Sequence, residues 1–276
     1  MVGPLSRSGS ALVAQRAIIA KPTIMLASAD ALGASGTLPA NLLAIGLSVE
    51  DEARQAALWA ARTTPSGSAY VVTAGAAWQQ RAARAFAAEW QRRGQRAQIV
   101  ELGVAGGYLN PNDMLQFTRK IQAERGELVF AALDMLQTRQ LREAMSGEVQ
   151  IYGTSQLNPL ALPDWSRVEP LFAMDGVRLI DLPWQLQANH PAVAALPRMQ
   201  PEPEQRLSAD LERLYALGAD AWRVAREIAR NQTNFEIDGV TGRLYVSFGP
   251  GATRFERLEV PAIYQDGVVV PYAGGR

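Results

Sequence analysis

Leu211-Glu-Arg-Leu-Tyr-Ala-Leu-Gly-Ala-Asp-Ala-Trp-Arg-Val-Ala225, followed by Phe235-Glu-Ile-Asp-Gly-Val-Thr-Gly-Arg-Leu-Tyr-Val-Ser-Phe248, is the stretch on which the fold turns. The first segment repeats apolar residues at helical spacing and predicts one long helix. Leu211, Leu214, Trp222 and Ala225 are expected to share its buried face, with Asp220-Ala221-Trp222 a packing motif. The second segment has no helical period. Leu244, Val246 and Phe248 alternate with more polar neighbours, the period of a half-buried strand. Farther on, Val260–Gln265 and Val268–Tyr272 flank Asp266-Gly267, the dipeptide a type I′ hairpin favours because both central residues take positive φ.

Upstream of this ending the rhythm is βα. Thr23–Ala27 and Leu42–Leu47 read as strands, and Ser48 opens a helix whose first turn carries Glu50, Asp51 and Glu52. Acids there face the positive helix end, which accounts for them without catalysis. Strands begin near Ala69, Ala97, Leu128 and Val149, with helices at Trp78–Arg93, Pro111–Glu124 and Leu136–Met145 between them. Three successive βα units predict a parallel sheet with right-handed crossovers. Trp78, Ala82, Phe86 and Trp90, four apart, predict one core stripe. The proline-rich run from Ala188 to Pro203 is the expected linker. A chain that is βαβα for two-thirds of its length and then ends in one helix and hairpins is not a plain doubly wound domain.

Composition bounds the chemistry. The 276 residues are 48% hydrophobic and 20% charged, with 27 basic and 27 acidic side chains. Zero formal charge argues against nucleic acid as a partner. No apolar run reaches the roughly 20 residues of a membrane span, and the first residues lack the pattern of a signal peptide. Without Cys there is no disulfide, thiolate metal site, cysteine nucleophile or lipid-bearing Cys. The one histidine, His190, reads as a surface loop residue with no triad or metal partners in view. Gly103–Gly107 lacks the spacing of a phosphate loop and reads as a flexible loop. No catalytic constellation, cofactor motif or metal site emerges, which favours a binding role over an enzyme.

Ligands of open α/β sheets sit beyond the carboxyl ends of strands. Those ends supply the candidate ligand-binding residues Ser28, Ser48, Gly75, Trp78, Thr154 and Ser155. Ser28 and Ser48 would offer hydroxyls and helix-start amides to a small carboxylate, and Trp78 would cover an apolar group.

Several segments together resemble one family: Leu47–Arg54, Ala85–Trp90, Ile151–Ser155, Gly176–Trp184, Leu214–Trp222 and Phe235–Leu244. They look like the carboxy-terminal domain of the LppC (LpoA-type) lipoproteins, activators of penicillin-binding proteins. The Asp-Ala-Trp helix followed by Phe-Glu-Ile-x-Gly-x-Thr-Gly is the more specific part. More distantly, the pattern resembles type I solute-binding proteins for branched-chain amino acids. The resemblance implies an α/β, two-lobed, type I periplasmic-binding-protein-like fold, each lobe a parallel-rich sheet flanked by helices, with antiparallel strands near the C-terminus. Lobe one is expected at 1–67 and 207–234, with its first βα unit missing, and lobe two at 68–206 and 235–276.

The resemblance further implies a non-catalytic protein in the periplasm, at the inner face of the outer membrane. It would stimulate a bifunctional peptidoglycan synthase, a class A penicillin-binding protein, by direct contact. Members carry a lipidated Cys and an upstream helical repeat domain, neither present in these residues, so a truncated chain or a misplaced start is expected. The competing expectation is a solute-binding protein that captures an amino acid or similar small carboxylate in the inter-lobe cleft.

Overall fold

The computed structural model describes residues 1–15, 19–27, 38–64, 67–145, 147–161, 170–198, 208–249 and 253–273. The chain runs α1 (Arg7–Ala14), β1 (Thr23–Met25), β2 (Leu42–Ala44), α2 (Val49–Thr63), β3 (Ser68–Thr73), α3 (Ala77–Arg92) and β4 (Arg96–Glu101). A hairpin of β5 (Val104–Ala105) and β6 (Tyr108–Leu109) leads into α4 (Pro111–Glu124), β7 (Leu128–Ala132), α5 (Met135–Glu143) and β8 (Gln150–Gly153). After short 3-10 turns come β9 (Arg178–Asp181), α6 (Pro183–Leu186), α7 (Pro191–Ala194) and the long α8 (Ala209–Ala229). Five strands follow: β10 (Asn234–Asp238), β11 (Arg243–Ser247), β12 (Arg254–Leu258), β13 (Val260–Gln265) and β14 (Val268–Pro271).

Two compact units emerge, Met1–Ser48 with Leu182–Glu259, and Val49–Asp181 with Val260–Arg276. In the second unit a seven-stranded sheet has the order β14-β13-β9-β8-β7-β3-β4. Strands β4, β3, β7, β8 and β9 are parallel, and β13 joins β9 antiparallel. Leu-Val-Phe-Ala-Ala of β7 is buried along its whole length, as a central parallel strand covered on both faces requires. Period two then sorts the β3 side chains. Ala69 and Val71 join Ala53, Ala56, Ala57 and Ala60 of α2 and Ala82, Ala83 and Phe86 of α3. Tyr70 points the other way, edge-on to Phe117 of α4 with ring centroids 5.9 Å apart. Alanines on α2 and α3 let the two helices lie close, and Phe86 stacks on Phe130 at 4.2 Å.

The β13–β14 hairpin forms with Asp266 at φ 52° and Gly267 at φ 74°, in the expected register of Gln265 opposite Val268. Gly103–Gly107, expected as a flexible loop, instead contributes to the β5–β6 hairpin, with Gly106 and Gly107 at its turn.

In the first unit β1 and β2 are parallel, and β10, β11 and β12 form an antiparallel sheet. Leu217, Ala221 and Val224 of α8 pack with Ile24, Leu43 and Ile45 on one side of the sequence and Leu244, Val246 and Phe248 on the other.

The chain crosses between units three times, at places other than 67/68, 206/207 and 234/235. Helix α2 lies in the second unit because its alanine face packs on α3, so the first crossing is at Ser48/Val49 and not near Gly67. The second precedes Leu182, because Leu182, Trp184 and Val193 already pack with Ala216 and Val240. The described part of the proline-rich run expected as a linker, residues 188–198, therefore falls inside the first unit. The third follows Glu259, since β10–β12 pack with α8.

Four expected core positions are overturned. Trp222 is 61% exposed, with Leu211 and Leu214 also exposed. The buried face of α8 holds Arg213, Ala216, Leu217, Asp220, Ala221 and Val224. Trp222 is two residues past Asp220, about 200° round the helix, and so points away from that face. Trp78 is half-buried and outside the core cluster that takes Ala82, Phe86 and Trp90. One residue on, Gln79 fills the first position of the buried stripe.

Candidate functional site

The carboxyl edge of the second unit's parallel strands gathers the candidates predicted after β3 and β8. Gly75 is exposed just beyond β3, and Trp78 is half-buried in the first turn of α3. Thr154 and Ser155 follow β8 and are buried. These four therefore lie at one end of one sheet, with β7 between their strands. Ser48 belongs to the first unit, where it is buried and already engaged. Ser28 lies outside the described residues.

The polar groups at this edge serve the fold itself. Glu52, in the first turn of α2, accepts the backbone N–H of Ser155 at 2.7 Å and its hydroxyl at 3.0 Å. Both residues are buried. Glu52 thus receives the two donors at Ser155 that a bound carboxylate would need. Thr154 turns its hydroxyl to accept the N–H of Gln156 at 3.4 Å, capping the short turn that follows β8. Beside it, Gln79 donates to Gln137 at 2.8 Å between α3 and α5. Asp134 caps α5 by accepting the Gln137 N–H at 2.8 Å. Burial raises the Asp134 carboxyl above its ordinary value, against the lowering effect of the Gln137 and Leu136 amides. Farther along, Asn158 donates to buried Asp181 at 2.8 Å, and the Tyr264 hydroxyl donates to the Leu157 carbonyl at 2.6 Å.

In the first unit the Asp-Ala-Trp segment divides by face. Asp220 is fully buried and accepts four hydrogen bonds: Val240 N–H at 3.1 Å, Thr241 N–H at 2.7 Å, Thr241 hydroxyl at 2.7 Å and Arg223 at 3.1 Å. Arg257 extends the network, donating to the Thr241 hydroxyl oxygen at 3.1 Å and to the carbonyls of Gly46 at 3.0 Å and Ile45 at 2.6 Å. This explains Gly239-Val-Thr-Gly242: the loop joining β10 to β11 is docked on a helix carboxylate. A Cβ at Gly239 would stand 2.5 Å from an Asp220 oxygen, and one at Gly242 2.4 Å from the Leu258 carbonyl. Sequence reasoning linked the two motifs only through a family likeness and missed the bond between them. The signal was an acid at a helix position flanked by apolar residues.

His190, expected in a loop, caps α7 instead: Nδ1 accepts the Ala192 N–H at 3.3 Å, and Nε2 lies 3.3 Å from Asp238. On the outward side of α8, a groove of about 550 Å³ is lined by Leu196, Tyr215, Gly218, Ala219, Trp222, Arg223 and Arg226. The Arg226 guanidinium sits 5.1 Å from the Trp222 ring centroid. Among the described residues no cluster of three or more His, Asp or Glu would hold a metal ion. None of the described helices is long and apolar enough to cross a membrane.

Comparison with known proteins places these features. The family model described as "LppC putative lipoprotein" matches residues 122–257. The chain is 29% identical over 245 residues to the penicillin-binding protein activator LpoA of Klebsiella pneumoniae, covering 74% of this chain and 32% of that protein. Its identity to LpoA of Haemophilus influenzae is 27% over 235 residues, 83% of this chain and 38% of that one. The chain thus spans less than half the length of these curated relatives. Among solved structures, the Haemophilus influenzae LpoA C-domain, described as a regulator of PBP1A, superposes with a TM-score of 0.75 at 23% identity, covering 99% of this chain and 81% of that one. A protein of Chromobacterium violaceum, described as a "putative branched-chain amino acid ABC transporter", superposes with a TM-score of 0.70 at 33% identity, covering 95% and 79%. The family match runs across both the Asp220 carboxylate and the Gly-Val-Thr-Gly loop it holds in place, and the chain resembles the carboxy-terminal domain of the LpoA-type LppC lipoproteins.

Proposed function

We propose that this chain is a non-catalytic activator of a bifunctional peptidoglycan synthase, a class A penicillin-binding protein, acting by protein–protein contact. Its place is the periplasm, at the inner face of the outer membrane, by analogy with that family. The observation that carries the reading is the internal use of Ser155: its amide and hydroxyl hold Glu52 and are unavailable to a ligand carboxylate. A capture protein needs convergent unpaired polar groups, whereas an activator needs a surface. Two relatives named as penicillin-binding protein activators point the same way.

Solute capture is the competing reading, favoured by the 33% identity to the Chromobacterium violaceum protein. Its residues would be Ser28, Ser48, Gly75, Trp78 and Thr154. Fold likeness alone does not choose between the two. Glycosyltransferase activity of a purified synthase, measured with and without the chain, tests activation: stimulation supports it and an unchanged rate sinks it. Calorimetric titration with amino acids and muropeptide fragments tests capture, which a flat isotherm at millimolar ligand would retire.

A further inference from the structure

We infer that the groove on the outward side of α8 is the surface by which this chain grips its protein partner. Its occupant is an apolar side chain carried on a partner segment with an adjacent carboxylate. The inference rests on the activator reading and assigns it a contact site.

Three observations converge. The first is exposure. Trp222, Leu211 and Leu214 are exposed on a helix whose opposite face is fully engaged in the core. With Gly218 they follow helical spacing, so α8 carries a second stripe that stays exposed. Exposed Trp beside Arg is the composition of interface anchors.

The second is Gly218. It sits in the interior of a helix, where glycine is destabilising. A Cβ at this position would meet nothing within 4 Å, so no internal packing requires the absence of a side chain. What the glycine does provide is depth: it lines the groove beside Trp222 and Tyr215. A helix that gives up stability for a hollow on its outer side is built to receive a protruding side chain.

The third is charge. The lining contributes two guanidiniums, Arg223 and Arg226, and no carboxylate. Arg223 is tied to Asp220 and the Ala192 carbonyl, which fixes it beside the groove. Arg226 shares the single carboxylate of Glu227 with Arg230. Two cations against one anion leave a positive excess at the end of the groove where Trp222 lies. An apolar group flanked by Asp or Glu is the complement of that surface.

The test measures affinity of a purified bifunctional synthase for the chain by surface plasmon resonance, with urea unfolding run on every variant. Trp222→Ala and Gly218→Leu should each weaken binding about tenfold or more, as anchor loss and pocket filling do at interface centres, while neither lowers the unfolding midpoint. Arg226→Glu should weaken binding more than Arg226→Ala, and raising salt should narrow the difference between Arg226→Ala and wild type. Wild-type affinity in both Trp222→Ala and Gly218→Leu overturns the contact site while leaving activation intact. Equal effects of Arg226→Glu and Arg226→Ala overturn the carboxylate. Concentration-dependent self-association of the chain that Trp222→Ala abolishes would make the occupant a second copy and overturn the proposal. A wild-type chain that neither binds nor stimulates the synthase removes the activator reading itself, and the site with it.

Discussion

The carboxylate of Glu52 and the amide and hydroxyl of Ser155 meet across 103 residues of sequence, at 2.7 and 3.0 Å, in the buried edge of the second unit's sheet. The pair fastens the first turn of α2 to the end of β8. It also turns what sequence reads as a ligand-facing strand end into an internal joint.

Glu52→Ala should therefore behave as a core lesion. It leaves two buried donors unpaired, and hydrogen bonds to a charged acceptor contribute about 1.5–3 kcal/mol each in mutational series. Urea unfolding should show a loss of at least about 2 kcal/mol. A change under about 0.5 kcal/mol would mean that water replaces Glu52 and that Ser155 is accessible after all.

Asp220 should be still more sensitive. Asp220→Ala leaves the Thr241 hydroxyl and two loop amides without their acceptor in the first unit's interior and takes the carboxylate from Arg223, and breaking a buried charge pair costs about 3–5 kcal/mol. Gly239→Ala should damage the same joint from the other side, since its Cβ would stand 2.5 Å from the Asp220 carboxylate. Denaturant midpoints measured singly and together should be non-additive, because both changes break one contact.

The outer face of α8 should respond in the opposite sense. Gly218→Ala should raise stability by about 0.5–1 kcal/mol, the usual gain for replacing a helix-interior glycine with no steric role. Trp222→Ala should alter stability by less than about 0.5 kcal/mol, in keeping with a surface site. A loss of several kcal/mol at Trp222, read by thermal or urea unfolding, would restore it to the core.

Alkaline pH should loosen the second unit. The Tyr70 hydroxyl donates to Glu124, and burial together with that carboxylate pushes its pKa up from 10.0 to about 12. A proton held more tightly in the folded state than in the unfolded one stabilises the fold fully below pH 10. That contribution is lost as pH rises toward about 12. Tyr264 is raised by burial and adds in the same direction. Stability followed from pH 9 upward should fall in this window, and Tyr70→Phe should flatten the slope (about 1.4 kcal/mol per proton per pH unit at most).

How much of this was legible in the sequence depended on how local the cause was. The β13–β14 hairpin was, because Asp266-Gly267 and the strands beside it carry their own instructions. Helices α3, α4 and α5 were, because period and flanking residues agree. The face of α8 was not. Its apolar residues run round most of the helix, and the face that is buried includes Asp220 and Arg213, which belong inside only because distant groups meet them. Trp222 was misjudged for the same reason: hydrophobicity marks a residue as able to pack but does not say against what. The unit boundary at Ser48 was hidden because the alanines of α2 are compatible with any close-packed partner, and α3 is identified as that partner only by the fold. Glu52 looked complete as a helix-start acid. Its bond to Ser155 depends on the order of strands in the sheet.

The position of β13 also governs when the second unit can be finished during synthesis. Its partner β9 leaves the ribosome before α8 and before β10, β11 and β12, all of which belong to the first unit. Until the chain has passed through that whole excursion, the β9 edge has no neighbour on its outer side, and unpaired edges invite association with other chains. The first unit, by contrast, has every strand in hand once β12 emerges. Translation order thus gives the later-numbered half of the first unit a head start, and makes the return at Glu259 the moment at which the nascent second sheet is sealed.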